Sequence, residues 1–141
     1  MKVVHDYPPL YAEIAAAFPI KHRSVIFAWG DAIYNPHSLV LNDALRAHED
    51  VHRMQHESYE GGPEAWWRRY IADKAFRLDQ EVPAHAAEYM VHAVLADSRK
   101  RRRYLLSQIA RKLSSATYGP MVGQRKALEL LRKELKMEDK K

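Results

Sequence analysis

The chain contains no cysteine, which excludes disulfide frameworks, thiolate metal sites and a nucleophilic thiol. Any metal must therefore be held by His, Asp or Glu. Long apolar runs are missing too. The start, MKVVHDYPPLYAEIAAAF, is interrupted by Asp6 and Glu13 and has no stretch suited to a signal peptide. Nothing downstream approaches the ~18 apolar residues of a membrane helix. The expectation is a cytoplasmic protein with no membrane partner. Internal repeats and low-complexity linkers are also absent, and within these 141 residues no separate regulatory domain is expected. One domain spanning 1–141 is expected, with 137–141 as a frayed tail.

What is present is a chain 47% hydrophobic and 29% charged, enough apolar material to bury a core. Eight histidines make a metal site worth seeking. The net charge of +5 is unevenly spread. Residues 1–96 carry 9 Lys+Arg against 13 Asp+Glu, whereas residues 97–141 carry 14 against 5. A nucleic-acid or membrane-surface role is thus raised for the last third alone.

Periodicity predicts a mainly helical chain. LYAEIAAAF forms a short helix over about residues 10–18, ended by Pro19. SVIFAW (24–29) has strand composition and runs into a turn at Gly30-Asp31, with another turn at Asn35-Pro36. SLVL (38–41) is either a second strand or the lead-in to a helix over 43–58. Asn42 or Asp43 caps that helix, and Ala44, Leu45, Val51 and Met54 lie partly on one face. After the break at Glu60-Gly61-Gly62-Pro63, PEAWWRRYIADKAF continues as helix, with Trp66, Trp67, Tyr70 and Phe76 expected in the core. Two further helices follow. One places Ala87, Val91 and Leu95 on a face with Met90 and Val94 beside it. The other, Arg99–Lys112, packs through Tyr104, Leu105, Ile109 and Leu113. A loop, SSATYGPMVG, leads to a last helix over 124–136.

His48-Glu49-Asp50-Val51-His52 is an HExxH pattern inside the 43–58 helix. Residues i and i+4 share a helix face, so His48 and His52 can reach one ion. Glu49 is placed to act on a water rather than on the metal. A zinc ion with three protein ligands lowers that water's pKa, and the glutamate accepts its proton as it attacks a carbonyl. His56, about 12 Å of helix rise beyond His48, is too far to complete the set and is expected on the solvated surface. The metzincin pattern requires Gly in place of Gln55 and His in place of Ser58, so that class is excluded. The third ligand must come from a later helix. Glu81 leads, lying 29 residues after His52, with Glu88, His85 and His92 as rivals and Asp79 behind them.

These segments resemble the gluzincin-type zinc metallopeptidases, and more closely small phage-encoded or prophage-encoded HExxH proteins described as metallopeptidases. The resembling residues are VIFAWGDAIYNP (25–36), LRAHEDVHRMQHE (45–57), AWWRRYIADKAFRLDQEVPAH (65–85) and LSSATYG (113–119). The resemblance implies a compact, zincin-like helical fold with a small strand element before the active-site helix. It further implies that the strand aligns an extended peptide and that Glu81 is the third zinc ligand. A host cytoplasm or a virion would be the setting. Pro83 departs from a straight ligand helix, which must kink there or begin near it.

Supporting groups are less specific. Asp79, Glu88 and Asp43 are candidate acceptors for the second N–H of a ligating histidine. Tyr118 could donate to a developing oxyanion, or merely pack its loop. Arg99, Lys100, Arg101, Arg102 and Arg103 point in different directions around a helix start, so they form no single flat patch. They read as a solvated face or as contacts to phosphate. The leading expectation is zinc-dependent hydrolysis of a peptide or protein substrate. The alternatives are hydrolysis of a non-peptide amide, and a non-catalytic phage structural or nucleic-acid-binding protein on the same scaffold.

Overall fold

The computed structural model describes residues 1–137; the tail expected to fray lies, beyond Met137, outside the described residues. Among the described residues six helices and a small three-stranded sheet form a mainly helical fold. Strand β1 (Lys2–Val4) and helix α1 (Tyr11–Ala17) come first, followed by β2 (Phe27–Trp29) and β3 (Ala32–Tyr34). Helices α2 (Asp43–Ser58), α3 (Gly62–Ala72), α4 (Lys74–Leu95), α5 (Arg99–Leu113) and α6 (Gln124–Glu134) complete the order. A short 3-10 turn, Ala116–Tyr118, precedes α6. None of the described helices is long and apolar enough to cross a membrane.

The sheet order is β1-β3-β2, with β2 antiparallel to β3 and β1 parallel to it. β2 is therefore an edge. SVIFAW pairs only at its end, and SLVL is an irregular lead-in to α2 rather than a strand. Gly30 turns the hairpin at φ +56°, a conformation that costs glycine little. Asn42 caps α2 by accepting from the Leu45 N–H at 2.9 Å, as its side chain predicts.

Two helix boundaries differ from the sequence expectation. WWRRYIADKAF is not one helix, because the Asp73 side chain accepts from the Phe76 N–H at 3.0 Å and starts α4 anew. Its capping geometry outweighs the helical periodicity around it. In turn, α4 neither ends nor begins at Pro83 but runs through it. Proline removes one ladder donor, while Gln55 of α2 donates to the Gln80 carbonyl at 3.0 Å just before it. That bond ties the weakened turn to its neighbour.

Apolar residues form two cores. One joins Val82, Ala86 and Tyr89 of α4 to Leu106, Ile109, Ala110 and Leu113 of α5 and to Ala127 and Leu131 of α6. The other is aromatic and gathers Phe18, Phe27, Trp66, Trp67, Tyr70 and Phe76 with Ile14 and Ile20. Helix α2 turns an unusual face inward: Ala44, His48, Glu49, His52 and His56. Helix α4 meets it with Glu81, His85 and Glu88. Apolar stripes misplace these faces. Met54, Met90, Val94 and Leu95 are exposed, and so is Tyr104, which lies beneath the Arg101 guanidinium while Leu106 takes the core position. Polar groups take the sides on which α2 and α4 face each other, and Met54, Met90, Val94 and Leu95 are left at the solvent.

Leu113 is fully buried and Leu95 is 84% exposed. Leu113→Ala is expected to cost about 2–5 kcal/mol and Leu95→Ala less than about 0.5 kcal/mol. Urea denaturation of the two variants checks the assignment of faces.

Candidate metal centre

HExxH spacing puts His48 and His52 one turn apart on α2, and α4 delivers Glu81 between them. Glu81 Oε1 lies 3.2 Å from His48 Nε2 and 3.3 Å from His52 Nε2. All three residues are buried, and Glu81 Oε1 has no hydrogen-bond partner. The other Glu81 oxygen accepts from the Tyr70 hydroxyl at 2.5 Å.

Neighbours set the tautomers of both rings. His48 Nδ1 lies 2.9 Å from Glu88 Oε1, a carboxylate that can only accept, so Nδ1 donates and Nε2 faces Glu81. The Lys112 ammonium holds the other Glu88 oxygen. His52 Nδ1 lies 2.8 Å from Gln55 Oε1. Because Gln55 Nε2 donates to the Gln80 carbonyl, its oxygen is left to accept from His52. Of the candidate acceptors, Glu88 fills the role; Asp79 is exposed, and Asp43 lies at the exposed start of α2.

Electrostatics follow from this packing. Burial opposes charge on His48, but the nearby Glu81 carboxylate and the bond to Glu88 prevail and raise its pKa to about 10. His52 rises as well, since Glu81 outweighs burial. The same two rings hold Glu81 well below the usual carboxylate range despite its burial. Glu88, although buried, falls to about 2 beside His48 and Lys112. Glu49 is shifted the other way, chiefly by burial. It lines the cavities beside the cluster, as expected of a proton acceptor.

Two groups of buried side chains could hold a metal ion, His48–His52–Glu81 and His48–His85–Glu88. The second has its lone pairs engaged. His85 Nδ1 donates to the Glu81 carbonyl at 2.8 Å, and His85 Nε2 is 3.2 Å from the Tyr118 hydroxyl. Glu88 is shared between His48 and Lys112. The first group keeps three donor atoms facing one point. His92 and Asp79 belong to neither group.

Tyr118 lines the same cavities as Glu49. Burial and the charges of Glu81, Glu88 and Glu49 push its pKa well above 10, so it remains a donor. Trp66, Trp67 and Tyr70 serve the aromatic core and line a cavity of about 90 Å³ beside His48 and Glu49. Arg99, Lys100, Arg101 and Arg103 are exposed and Arg102 is half-buried. None of the five lines a cavity beside Glu49.

His56 is a correction. It is 1% exposed rather than solvated, and its Nδ1 accepts from the Gly30 N–H at 2.9 Å. The hairpin turn takes up this histidine, a long-range contact with no local signal. Gln55, Tyr70 and Lys112 also escaped sequence reasoning. Gln55 alone had a usable signal, its i+3 position relative to His52. No family model, curated protein or solved structure matches the chain.

Burial lowers the pKa of His56 to about 3 and that of His85 to about 4. Unfolded histidine titrates near 6.5, so below that pH the unfolded chain binds protons that these rings refuse. Stability should fall as pH drops from about 6.5 towards 4 and 3, as linkage requires. In chelator, His56→Gln is expected to flatten that slope whatever its effect on absolute stability. Urea titrations at half-unit pH steps measure it.

Proposed function

We propose that the protein is a zinc-dependent hydrolase, acting as a metallopeptidase, with His48, His52 and Glu81 as ligands and Glu49 as general base. One observation carries the reading. Glu81 Oε1 is buried without a hydrogen bond, 3.2 and 3.3 Å from two imidazole Nε2 atoms. A tetrahedral zinc site with bonds of about 2.0–2.1 Å has edges of about 3.3–3.4 Å. The two Glu81–histidine separations match such edges, so His48, His52 and Glu81 would hold zinc as two neutral imidazoles and one carboxylate, with Glu49 lining the adjoining cavities.

A zinc ion held by His48, His52 and Glu81 would supply Lewis acidity, lowering the pKa of a water and polarising the substrate carbonyl. Glu49, in a low-dielectric wall, takes the water's proton and passes it to the leaving nitrogen. Its raised affinity for a proton suits both steps. Tyr118, whose hydroxyl lies 3.2 Å from His85 Nε2, would turn its one O–H from that ring to the carbonyl oxygen as negative charge develops there. Glu88 and Gln55 hold the rings of His48 and His52 in the ligating tautomer. The edge strand β2 and the preceding Val25-Ile26 border the cavity, a position from which an extended peptide can be aligned.

Glu49→Gln should retain one zinc per chain while losing at least about 10²-fold in hydrolysis of labelled casein. His52→Ala and Glu81→Ala should lose the metal. Full activity in Glu49→Gln would overturn the mechanism, and zinc retained in Glu81→Ala would move the third ligand elsewhere. Elemental analysis and peptide release measure both.

Tyr118→Phe removes one donor without altering the ring. A fall of about 10²-fold in kcat, with KM nearly unchanged, is expected for an oxyanion donor. Unaltered kcat would leave Tyr118 as packing only.

A further inference from the structure

Two cavities meet at the candidate centre. Both are lined by His48, Glu49, Val25, Ile26, Thr117 and Tyr118, so a substrate across Glu49 faces both. Their remaining walls differ sharply. The smaller is closed by the aromatic core. The larger, about 510 Å³, adds Arg23, Arg111 and Lys112, with the hydroxyl residues Ser24 and Ser115.

The charges of this larger arm do not cancel. Its only carboxylates are Glu49 and Glu88. Glu88 is already satisfied by His48 and by Lys112. Arg23 and Arg111 have no carboxylate partner among the described residues. Arg23 is nevertheless held in place, because its Nη1 donates to the Thr117 Oγ1 at 2.6 Å, across 94 residues of chain. Thr117 is the neighbour of Tyr118. A guanidinium so fixed, with further N–H donors free, matches a carboxylate in a fork geometry.

We propose that Arg23 and Arg111 form a subsite for a carboxylate of the substrate, beside the bond that the centre cleaves. The preferred peptide then carries an apolar side chain for the aromatic arm and a carboxylate for the cationic arm. This rests on the hydrolase reading for the position of the cleaved bond, but not for the binding itself. The carboxylate is either an Asp or Glu side chain or a chain terminus, since both present the same group. A nucleic-acid phosphate is less suited, because these cations line a cleft shared with Glu49, whereas the run at Arg99–Arg103 lines no cavity beside it.

The test is binding without turnover. Zinc-loaded Glu49→Gln is titrated with four fluorescein-labelled octapeptide mixtures, each with one fixed Phe. Side-chain carboxylates are either present or replaced by Asn and Gln, and the C-terminus is either free or amidated. The mixtures with a carboxylate should bind about tenfold tighter than the mixture with none, and weaken as salt is raised. Whichever single-carboxylate mixture holds the preference identifies the source. Adding Arg23→Gln and Arg111→Gln should bring the mixtures within about twofold of one another, whereas the paired Arg→Lys changes should keep part of the preference. Both arginines are exposed, so thermal unfolding should move little.

Equal binding of all mixtures would overturn the subsite, as would a preference that survives the double Gln variant. Displacement of the peptides by oligothymidylate, lost in that variant, would overturn it in favour of a phosphate site. Cleavage of labelled casein by the wild-type protein is followed separately. Cleavage with no carboxylate preference removes the subsite and leaves the hydrolase reading. Preference with no cleavage does the reverse.

Discussion

The interior depends on one charge, the Glu81 carboxylate, withdrawn from water between two imidazoles. A buried carboxylate is costly unless it is paired and hydrogen-bonded. Its neighbours are arranged to that end. Tyr70 donates to one oxygen, and His48 and His52 face the other. Those rings then require acceptors of their own, which Glu88 and Gln55 provide. Glu88 in turn recruits Lys112 from α5, and Gln55 reaches the backbone of α4. A single buried group thus propagates a chain of polar contacts through four helices. Imidazolium protons offset its charge, and His48, His52 and Glu81 are grouped closely enough that a metal ion could do so instead.

The two apolar cores explain why such a seam is tolerated. Helix α4 shows Val82, Ala86 and Tyr89 to the α5–α6 core and Glu81, His85 and Glu88 to α2. Its residues alternate between holding the fold and holding the site within each turn. The aromatic core meets the seam from the other side, where Trp66 lies beside both His52 and His56. Apolar packing on both flanks keeps water out and lets weak polar contacts act at low dielectric.

Much of this was legible locally. HExxH, the Asn42 cap and the aromatic residues of α3 were readable, because helix spacing and capping are properties of a few neighbouring residues. Glu81 was readable as a candidate by its distance along the chain. The buried face of α2 was not, since hydrophobicity alone assigns Met54 inward and His56 outward, and the structure has both reversed. The Asp73 cap competed with a continuous apolar pattern and won. Strand β1 was missed because its pairing with β3 joins residues 30 positions apart, a distance at which three residues carry no periodic signal. Pro83 pointed to a boundary, yet packing on both sides of α4 overrides its local preference.

His56 shows why the misreading matters. His48, His52 and His56 follow one another at four-residue steps on the same face of α2, but their partners diverge. The first two face α4. The third accepts from the Gly30 N–H in the hairpin, and so fixes the edge strand relative to the helix that carries His48 and His52. Nδ1 can accept there only while the ring is neutral, and burial among aromatic rings keeps it neutral. One helix face therefore sets two relations at once, ligand to ligand and centre to strand edge. A shift of α2 along its axis would disturb both together, so the position of the β2 edge and the geometry of the three candidate donors are a single constraint.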